Sequence, residues 1–352
     1  MKMSNTRIRK VKRLPSFNDL KKDIPLSGIA RETVISSRQA IEDILSGKDK
    51  RILLLCGPCS VHDVKEAILL AKKMVPLIKR YRKQFLIVMR FCFDKPRTKN
   101  DWPGIASDPW HDGTYDVAFG HELCRRTMMT ILDLGVPFAC EMLDQNNYHM
   151  VSDLVSYAWI GARTVSSPVT RRVASGVSVP LGIKNSNKDD TITEVLNALD
   201  TITQPSVFTG TDDDGQLSRL PTDGNRDAHL ILRGGKSGPN YHQEYLQQSS
   251  AELAKAGYCP KVLIDCSHGN SGGDYTKQSG VFLSGLKRIK NGEPNILGFM
   301  IEAYHNGGKQ NGVRLGTVEA RGKLKPLLSV TDACIPHEQL VALLEEGSAI
   351  IS

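Results

Sequence analysis

The segment RILLLCGPCSVHD, residues 51–63, decides the fold class of this chain. Residues 52–56 are apolar without alternation, which is typical of a strand buried on both faces of a parallel sheet. A Gly-Pro pair at 57–58 ends the strand, and Cys59 and His62 follow it directly. In α/β folds the carboxyl ends of parallel strands carry the chemistry. The segment therefore predicts a buried strand that leads into a functional loop.

The rest of the chain alternates strands with helices. Asp63 and Glu66 predict a capping box at the start of a helix over 64–81. The predicted strands are 52–56, 85–91, 137–143, 157–162, 179–185, 228–233, 261–266 and 296–302. Eight strand–helix units within about 250 residues predict an α/β fold of the (β/α)8 TIM-barrel class. Because periodicity does not establish closure, a doubly wound open sheet stays the structural alternative.

Three segments lie outside this alternation. Residues 1–50 predict an N-terminal arm and a helix over 30–45, interpreted as a plug at the bottom of the barrel or a subunit contact. This N-terminal part precedes a catalytic barrel that we assign to residues 51–352. The polar segment 209–227 predicts an inserted hairpin before the sixth strand. The Gly- and Asn-rich segment 304–322, after the eighth strand, predicts an active-site lid.

Charge and hydropathy exclude some classes of partner. The net charge is +8, but six basic residues lie within the first 13 positions, which contain no acid. The remaining +2 makes the body of the chain nearly neutral, which predicts no nucleic-acid partner and a solvated basic arm. No apolar run approaches the ~18 residues that a membrane-spanning helix needs. The sequence therefore predicts no membrane association.

The cysteines predict a reducing compartment. Eight cysteines without regular spacing indicate free thiols, so we expect the cytoplasm. Cys56 and Cys59 have the C-x-x-C spacing of thioredoxin-type redox sites. Because Cys56 ends an apolar strand, we expect it to be buried and a redox dithiol to be absent.

Charged and metal-ligating side chains collect at the ends of the predicted strands. They are Cys59, Arg90, Lys95, Arg97, Glu141, Arg163, Lys184, Arg233, Lys236, Asp265, His268 and Glu302. Taken singly, each has an ordinary structural explanation, such as a buried thiol or a hydrogen-bonded imidazole. A barrel brings all eight strand ends to one rim, where at least five cations need anionic ligands such as phosphorylated or carboxylated substrates. The Cys, His and carboxylate ligands fit one divalent transition metal without selecting among Mn²⁺, Fe²⁺, Zn²⁺ and similar ions.

Eight motifs in this order resemble one enzyme family. They are GPCSVHD (57–63), MRFCFDKPRT (89–98), GART (161–164), GIKN (182–185), LRGGK (232–236), IDCSHGN (264–270), MIEA (300–303) and SVTDACI (329–335). Together they resemble the class I 3-deoxy-D-arabino-heptulosonate 7-phosphate (DAHP) synthases of the microbial, aromatic-feedback type. The resemblance implies a TIM barrel that condenses phosphoenolpyruvate with erythrose 4-phosphate, the first step of the shikimate pathway.

The resemblance also implies roles for individual residues. It implies one divalent ion (Mn²⁺, Fe²⁺, Zn²⁺ or Co²⁺) held by Cys59, His268, Glu302 and Asp332. It implies that the phosphate of phosphoenolpyruvate is bound by Arg163, Lys184 and Arg233, and its carboxylate by Arg90 and Lys184. It implies that Lys95, Arg97 and Thr98 bind the sugar phosphate and that Glu141 belongs to the substrate site. The expected catalytic groups are Lys95, His268 and Cys59.

The same resemblance implies an aromatic amino acid effector and a homodimer or homotetramer. The chain departs from the family pattern after Arg163, after Asn185 and after Glu302. A related phosphoenolpyruvate-dependent synthase with a different aldose phosphate or aldehyde acceptor therefore stays open. A non-catalytic barrel is disfavoured, because such a protein needs no complete set of metal ligands.

Overall fold

The computed structural model describes residues 3–97, 99, 101–188, 190–311, 315–320 and 322–352. Its helices and strands are, in chain order, α1 (Phe17–Asp23), α2 (Gly28–Ser46), β1 (Ile52–Gly57), α3 (Val64–Tyr81), β2 (Phe85–Arg90), α4 (Val117–Leu132), β3 (Phe138–Glu141), α5 (Gln145–His149), β4 (Tyr157–Ile160), α6 (Pro168–Ala174), β5 (Leu181–Lys184), α7 (Thr193–Ile202), β6 (Ser206–Thr211), β7 (Leu217–Thr222), β8 (Ala228–Leu232), α8 (Gln243–Lys255), β9 (Val262–Asp265), α9 (Gln278–Lys290), β10 (Ile296–Tyr304), β11 (Ile335–Pro336) and α10 (His337–Ile351).

The parallel strands close into a barrel because β1 pairs with strands on both of its sides. It pairs in parallel with β2, from Ile52 opposite Phe85, and with β10, up to Gly57 opposite Glu302. The order around the barrel is β1, β2, β3, β4, β5, β8, β9, β10. This closure confirms the (β/α)8 barrel and excludes the open-sheet alternative.

The strand alternation separates an apolar interior from a charged rim. Inward side chains from several strands form one buried cluster, which contains Leu53, Leu55, Val88, Ala139, Tyr157, Trp159, Ile231, Leu263 and Met300. Because side chains alternate along a strand, the next inward position lies two residues further on. In five cases that position is charged: Arg90, Glu141, Arg233, Asp265 and Glu302. The two-residue period of the strands therefore places apolar side chains in the barrel core and charged side chains in the next layer, at the carboxyl-terminal rim.

Helix α2 plugs the amino-terminal end of the barrel. Its side chains Ile41, Ile44 and Leu45 belong to the same buried cluster as the inward strand residues. Lys261, just before β9, donates a hydrogen bond of 2.8 Å to the carbonyl oxygen of Ile44. The helix ends at Gly47, whose φ of +79° suits glycine. The structure thus favours the plug interpretation of this helix.

The segments outside the alternation have definite structures. β6 and β7 pair in antiparallel register as the inserted hairpin, which starts three residues before the predicted segment. Asp63 caps α3 as expected, accepting hydrogen bonds from the backbone N–H groups of Lys65 and Glu66. The Glu66 carboxylate points to other partners instead of completing the capping box. Part of the expected lid, at 312–314 and 321, lies outside the described residues. No helix among the described residues is long and apolar enough to cross a membrane.

A polar pair lies inside the barrel core. The hydroxyl of Tyr157 lies 2.9 Å from Nε2 of His229, and both side chains are fully buried. Gly182 makes room for this pair, since a Cβ there would lie 2.2 Å from the Tyr157 oxygen. Burial lowers the pKa of His229 from 6.5 to about 4. The imidazole is therefore neutral in the folded protein at neutral pH.

This buried histidine predicts a loss of stability in acid. Between pH 6.5 and about 4 the unfolded chain binds a proton at His229 that the folded chain does not. We expect the free energy of unfolding to fall as the pH drops through this window, by up to roughly 3 kcal/mol for this group. Urea unfolding at pH 7.0, 5.5 and 4.5 should show a shallower fall for His229→Gln, whereas Tyr157→Phe, which keeps the imidazole, should retain the wild-type pH dependence. Equal pH dependence in His229→Gln and wild type would contradict the assignment.

Candidate active site

A cavity of about 270 Å³ opens at the carboxyl-terminal rim of the barrel. Its described lining comprises Arg90, Lys95, Pro96, Arg97, Lys99, Asp101, Glu141, Trp159, Gly161, Ala162, Arg163, Lys184, Asn187, Arg233, His268, Glu302, Thr331 and Asp332. Seven of these residues are Lys or Arg and four are Asp or Glu, so the described lining is cationic. Such a lining suits a ligand that carries several negative charges.

Arg90 and Glu302 form a buried ion pair at the floor of the cavity. Nη2 of Arg90 lies 2.9 Å from Oε1 of Glu302, and each residue is 2% exposed. Burial opposes the charge of Arg90, but nearby Cys92 and Glu302 outweigh it and raise the pKa of the guanidinium. The other terminal nitrogen, Nη1, is buried without a hydrogen-bond partner among the described residues. Arg90 therefore keeps the N–H groups of Nη1 for a ligand.

Lys184 and His268 share a buried carboxylate. Nζ of Lys184 lies 2.7 Å from Oδ2 of Asp265, and Nδ1 of His268 lies 3.0 Å from the same oxygen. Burial favours the protonated acid, but Lys184 and His268 outweigh it and hold the pKa of Asp265 well below its ordinary value. Asp265 therefore fixes the orientation of both side chains and neutralises part of the cationic charge.

Three potential metal ligands converge beside this floor. One ligand atom each from Cys59, Glu302 and Asp332 lies within 4.8 Å of the others, and the Cys59 sulfur is 3.6 Å from Oδ2 of Asp332. A thiolate with two carboxylates is a donor set that suits a divalent transition metal. Burial, with the charge of Glu302, raises the pKa of the Cys59 thiol to about 12. A cation among these ligands would lower it again, because metal binding displaces the thiol proton.

His268 lines the cavity but is not part of that three-ligand group. Its backbone has a φ of +56°, which is uncommon for a residue other than glycine. Nδ1 lies 2.6 Å from the hydroxyl of Ser267 as well as 3.0 Å from Asp265. An Nδ1–H that donates to a carboxylate leaves Nε2 available, which is the usual arrangement of a metal-ligating histidine. The geometry is compatible with the expected fourth ligand.

Lys95 reaches the metal-ligand group from the loop after β2. Its ammonium donates a hydrogen bond of 2.9 Å to the carbonyl oxygen of Cys59 and lies 3.2 Å from the Cys59 sulfur. Burial lowers the pKa of Lys95, but the neighbouring Cys59 and Cys92 outweigh it, so that the pKa is raised. Lys95 is therefore a protonated donor inside the cavity. Cys56 is buried in β1, and all eight cysteines are free thiols.

The remaining expected residues lie around the rim. The guanidinium of Arg163 donates to the carbonyl oxygen of Pro96 at 3.0 Å, and Arg97 donates to that of Trp102 at 2.9 Å. The backbone N–H of Arg233 is held by the Asn185 side chain at 2.8 Å.

Glu141 lies directly against Gly161. A Cβ at Gly161 would lie 2.1 Å from Oε1 of Glu141, so a larger residue there would shift the carboxylate from its present position. Thr98, the last of the expected substrate residues, lies outside the described residues.

Sequence reasoning missed Trp159, which forms part of the cavity floor. The guanidinium of Arg90 lies 5.1 Å and the ammonium of Lys184 5.7 Å from its ring centroid. Both distances allow cation–π contacts that hold the two cations over the indole. The available signal was the strand alternation, which places Tyr157, Trp159 and Gly161 on one face.

Comparisons with known proteins identify the family. The chain matches the model of the DAHP synthetase I family over residues 32–345. It belongs to that family. The Tyr-sensitive phospho-2-dehydro-3-deoxyheptonate aldolase of Escherichia coli K12 is 39% identical over 98% of this chain and 95% of its own length. The tyrosine-inhibited enzyme of that name from Schizosaccharomyces pombe is 37% identical over 93% of this chain and 87% of its own.

The fold agrees with the same family. The structure of phospho-2-dehydro-3-deoxyheptonate aldolase from Francisella tularensis SCHU S4 superposes on this chain with a TM-score of 0.92. The two sequences are 38% identical, and the match covers 98% of each chain. The resemblance stated from the eight motifs is thereby confirmed, as is the expectation of an enzyme of this family.

The buried Arg90–Glu302 ion pair leads to a prediction about the free energy of unfolding of two variants. Glu302→Ala leaves a buried guanidinium without its carboxylate, so we expect the free energy of unfolding to fall by about 3–5 kcal/mol. Adding Arg90→Met removes the unpaired charge and should recover a large part of the loss. Urea unfolding of metal-free protein at pH 7 measures both. A Glu302→Ala variant as stable as wild type would contradict the ion pair.

Proposed function

We propose that this chain condenses phosphoenolpyruvate with erythrose 4-phosphate and water to give DAHP and inorganic phosphate. One observation carries the proposal. A small cationic cavity at the rim of a TIM barrel is lined by Glu302 and Asp332, whose ligand atoms converge with that of Cys59. Two anionic substrates repel each other in water, and a cationic cavity offsets that repulsion while holding them in reacting geometry. Membership of the DAHP synthetase I family supports the same reaction.

The floor of the cavity would bind phosphoenolpyruvate. Arg90, with its unpartnered Nη1, and Lys184 face the carboxylate. Arg163 and Arg233, together with Lys184, bind the phosphate at the wall. The acids that already pair with Arg90 and Lys184 keep both cations in place before substrate arrives. Glu141 completes the substrate pocket.

Lys95 would act on the second substrate. C3 of phosphoenolpyruvate attacks the aldehyde carbon with the electrons of its double bond, and water adds at C2, from which phosphate then leaves. Lys95 gives a proton to the alkoxide formed from the aldehyde, a role that suits a protonated amine at the edge of the metal-ligand group. Arg97, and Thr98 from outside the described residues, bind the sugar phosphate. These groups position and protonate substrate without forming a bond to it.

Cys59, His268, Glu302 and Asp332 would hold one divalent ion. Thiolate, imidazole and carboxylate ligands accept Mn²⁺, Fe²⁺, Zn²⁺ or Co²⁺. When bound, such an ion supplies Lewis-acid polarisation of the aldehyde oxygen. Asp265 supports the assignment, since it holds Nδ1 of His268 and leaves Nε2 for the ion.

Consumption of phosphoenolpyruvate tests the reaction. Chelator-treated protein should consume it only when both erythrose 4-phosphate and Mn²⁺ are added, with one heptulosonate and one phosphate formed per molecule consumed. His268→Ala should lose the metal-dependent rate, whereas the exposed Lys65→Ala should keep it. If phosphoenolpyruvate is consumed with another aldose phosphate but not with erythrose 4-phosphate, the proposed acceptor substrate is wrong and the proposed site still stands. Full activity in His268→Ala would contradict the metal assignment.

We also propose that an aromatic amino acid regulates the enzyme. A cavity of about 780 Å³ lies between the inserted hairpin and helices α1, α5 and α6. Phe17, Tyr148 and Phe208 offer aromatic contacts on its wall, and Asp212 and Asp213 offer carboxylates for an amino group. The relatives described as Tyr-sensitive and tyrosine-inhibited support an effector of this class.

The hairpin cavity predicts which variant loses regulation. We expect phenylalanine, tyrosine or tryptophan, each added at millimolar concentration, to inhibit the wild-type reaction. Phe208→Ala removes an aromatic wall and should raise the half-inhibitory concentration about tenfold or more, because buried aromatic contacts dominate such pockets. Val207→Ala, on the exposed side of β6, is the matched control. Inhibition that is equal in Phe208→Ala and wild type would place the effector elsewhere.

Two further expectations stay predictions. The eight free thiols support the cytoplasm as the proposed compartment. The homodimer or homotetramer implied by the family resemblance awaits a measurement of mass in solution.

A further inference from the structure

Glu66 is a buried carboxylate that the proposed reaction does not use. It lies in the first turn of α3 and is 9% exposed. One carboxylate oxygen accepts a hydrogen bond of 2.5 Å from the hydroxyl of Tyr304, and the other accepts one of 2.6 Å from the backbone N–H of Leu327. Nε2 of His305 lies 2.9 Å from the Glu66 carbonyl oxygen. Glu66 thus joins three parts of the chain that are distant in sequence.

The described residues offer this carboxylate no Lys or Arg at ion-pair distance. The base that these residues do place at ion-pair distance is His62, whose Nε2 lies 3.5 Å from Oε2 of Glu66. Burial lowers the pKa of His62 to about 4, so this imidazole is neutral at pH 7. Burying a carboxylate without a paired cation is costly unless neutral donors satisfy it. Tyr304 and Leu327 are those donors.

Both donors lie close in sequence to candidate metal ligands. Tyr304 comes two residues after Glu302 on β10. Leu327 begins the segment 327–332, here called the Asp332 segment. The φ of Leu327 is +61°, a backbone conformation that a bulky residue adopts only when its surroundings enforce it. The hydrogen bond from its N–H to Glu66 contributes to that enforcement.

Other contacts dock the Asp332 segment onto the strand end that carries Glu302. The backbone N–H of Asn306 donates to the Leu327 carbonyl oxygen at 3.1 Å. The hydroxyls of Ser60 and Thr331 lie 2.9 Å apart, next to Cys59 and Asp332 in sequence. Glu66 is the one side chain in this group that contacts both the end of β10 and the start of the segment.

We propose that Glu66 is a positioning residue of the metal site. By tying Tyr304 to Leu327 it holds Glu302 and Asp332 at the separation that lets them converge with Cys59. The inference rests on the proposed function, since it takes this three-residue group as the metal site. Groups that orient metal ligands through such hydrogen bonds typically change metal affinity by about 10–100-fold when removed.

Titration of metal-stripped protein with Co²⁺ tests the proposal, with the thiolate-to-cobalt absorption of Cys59 as the readout. Glu66→Ala should weaken Co²⁺ binding by about 10–100-fold. Glu66→Gln keeps an acceptor for Leu327 and a polar partner for the Tyr304 hydroxyl, so its affinity should stay within about threefold of wild type. Tyr304→Phe, which removes one of the two hydrogen bonds, should fall between them. Lys65→Ala, exposed beside Glu66, is the control and should bind like wild type.

Three results would overturn the proposal. One is a Glu66→Ala variant that binds Co²⁺ like Lys65→Ala while its metal-free melting temperature falls, since the role is then only structural. Another is a Glu66→Gln variant as weak as Glu66→Ala. If Glu66→Ala does not fold, as circular dichroism would show, wild-type affinity in Tyr304→Phe overturns the proposal instead.

The reaction is measured on the same samples, so that the two proposals fail separately. If the wild type binds Co²⁺ but consumes no phosphoenolpyruvate with erythrose 4-phosphate, the proposed reaction is wrong. The role of Glu66 is then still decided by the Co²⁺ affinities of the variants. Wild type that binds no Co²⁺ overturns both.

Discussion

The parallel pairing of β1 with β10 is the constraint on which the site depends. It sets Gly57 opposite Glu302 and so brings the loop that carries Cys59 beside the strand that carries a carboxylate ligand. Gly57 has a φ of +148°, and a Cβ there would lie 3.0 Å from the Arg90 carbonyl oxygen, so the chain turns off β1 only with glycine. Closure therefore decides not only the fold but also which residues become neighbours at the rim.

Two buried cations of the cavity are paired with the protein's own carboxylates. Glu302 faces Arg90 and Asp265 faces Lys184, while the Trp159 ring lies under both cations. These partners restrict the side chains to one arrangement, so little conformational entropy remains to be lost when an anion binds. The carboxylate of Glu302 also lies close to the ligand atoms of Cys59 and Asp332. One residue thus links the cationic floor of the cavity to the candidate metal ligands.

The sequence predicted most of the barrel and the inventory of the rim, but not how the side chains are arranged. All eight barrel strands were found, because continuous apolar segments between glycines are strong local signals. The strand ends predicted Arg90, Lys184 and Glu302 near one another once the barrel was assumed. The inward orientation of Glu66 was missed, since its partner Leu327 is 261 positions away and the local pattern indicated a capping box. The rotation of His268 toward Asp265 depends on an unusual φ that residue types alone do not specify.

The closure of the barrel also has a consequence for synthesis. β1 leaves the ribosome about 240 residues before β10, its partner on the other side, so one edge of the sheet waits unpaired through most of translation. Its inward residues Leu53 and Leu55 have α2 as a cover made earlier in the chain. The plug helix is therefore complete on the chain before the apolar side chains that it covers in the folded barrel are made.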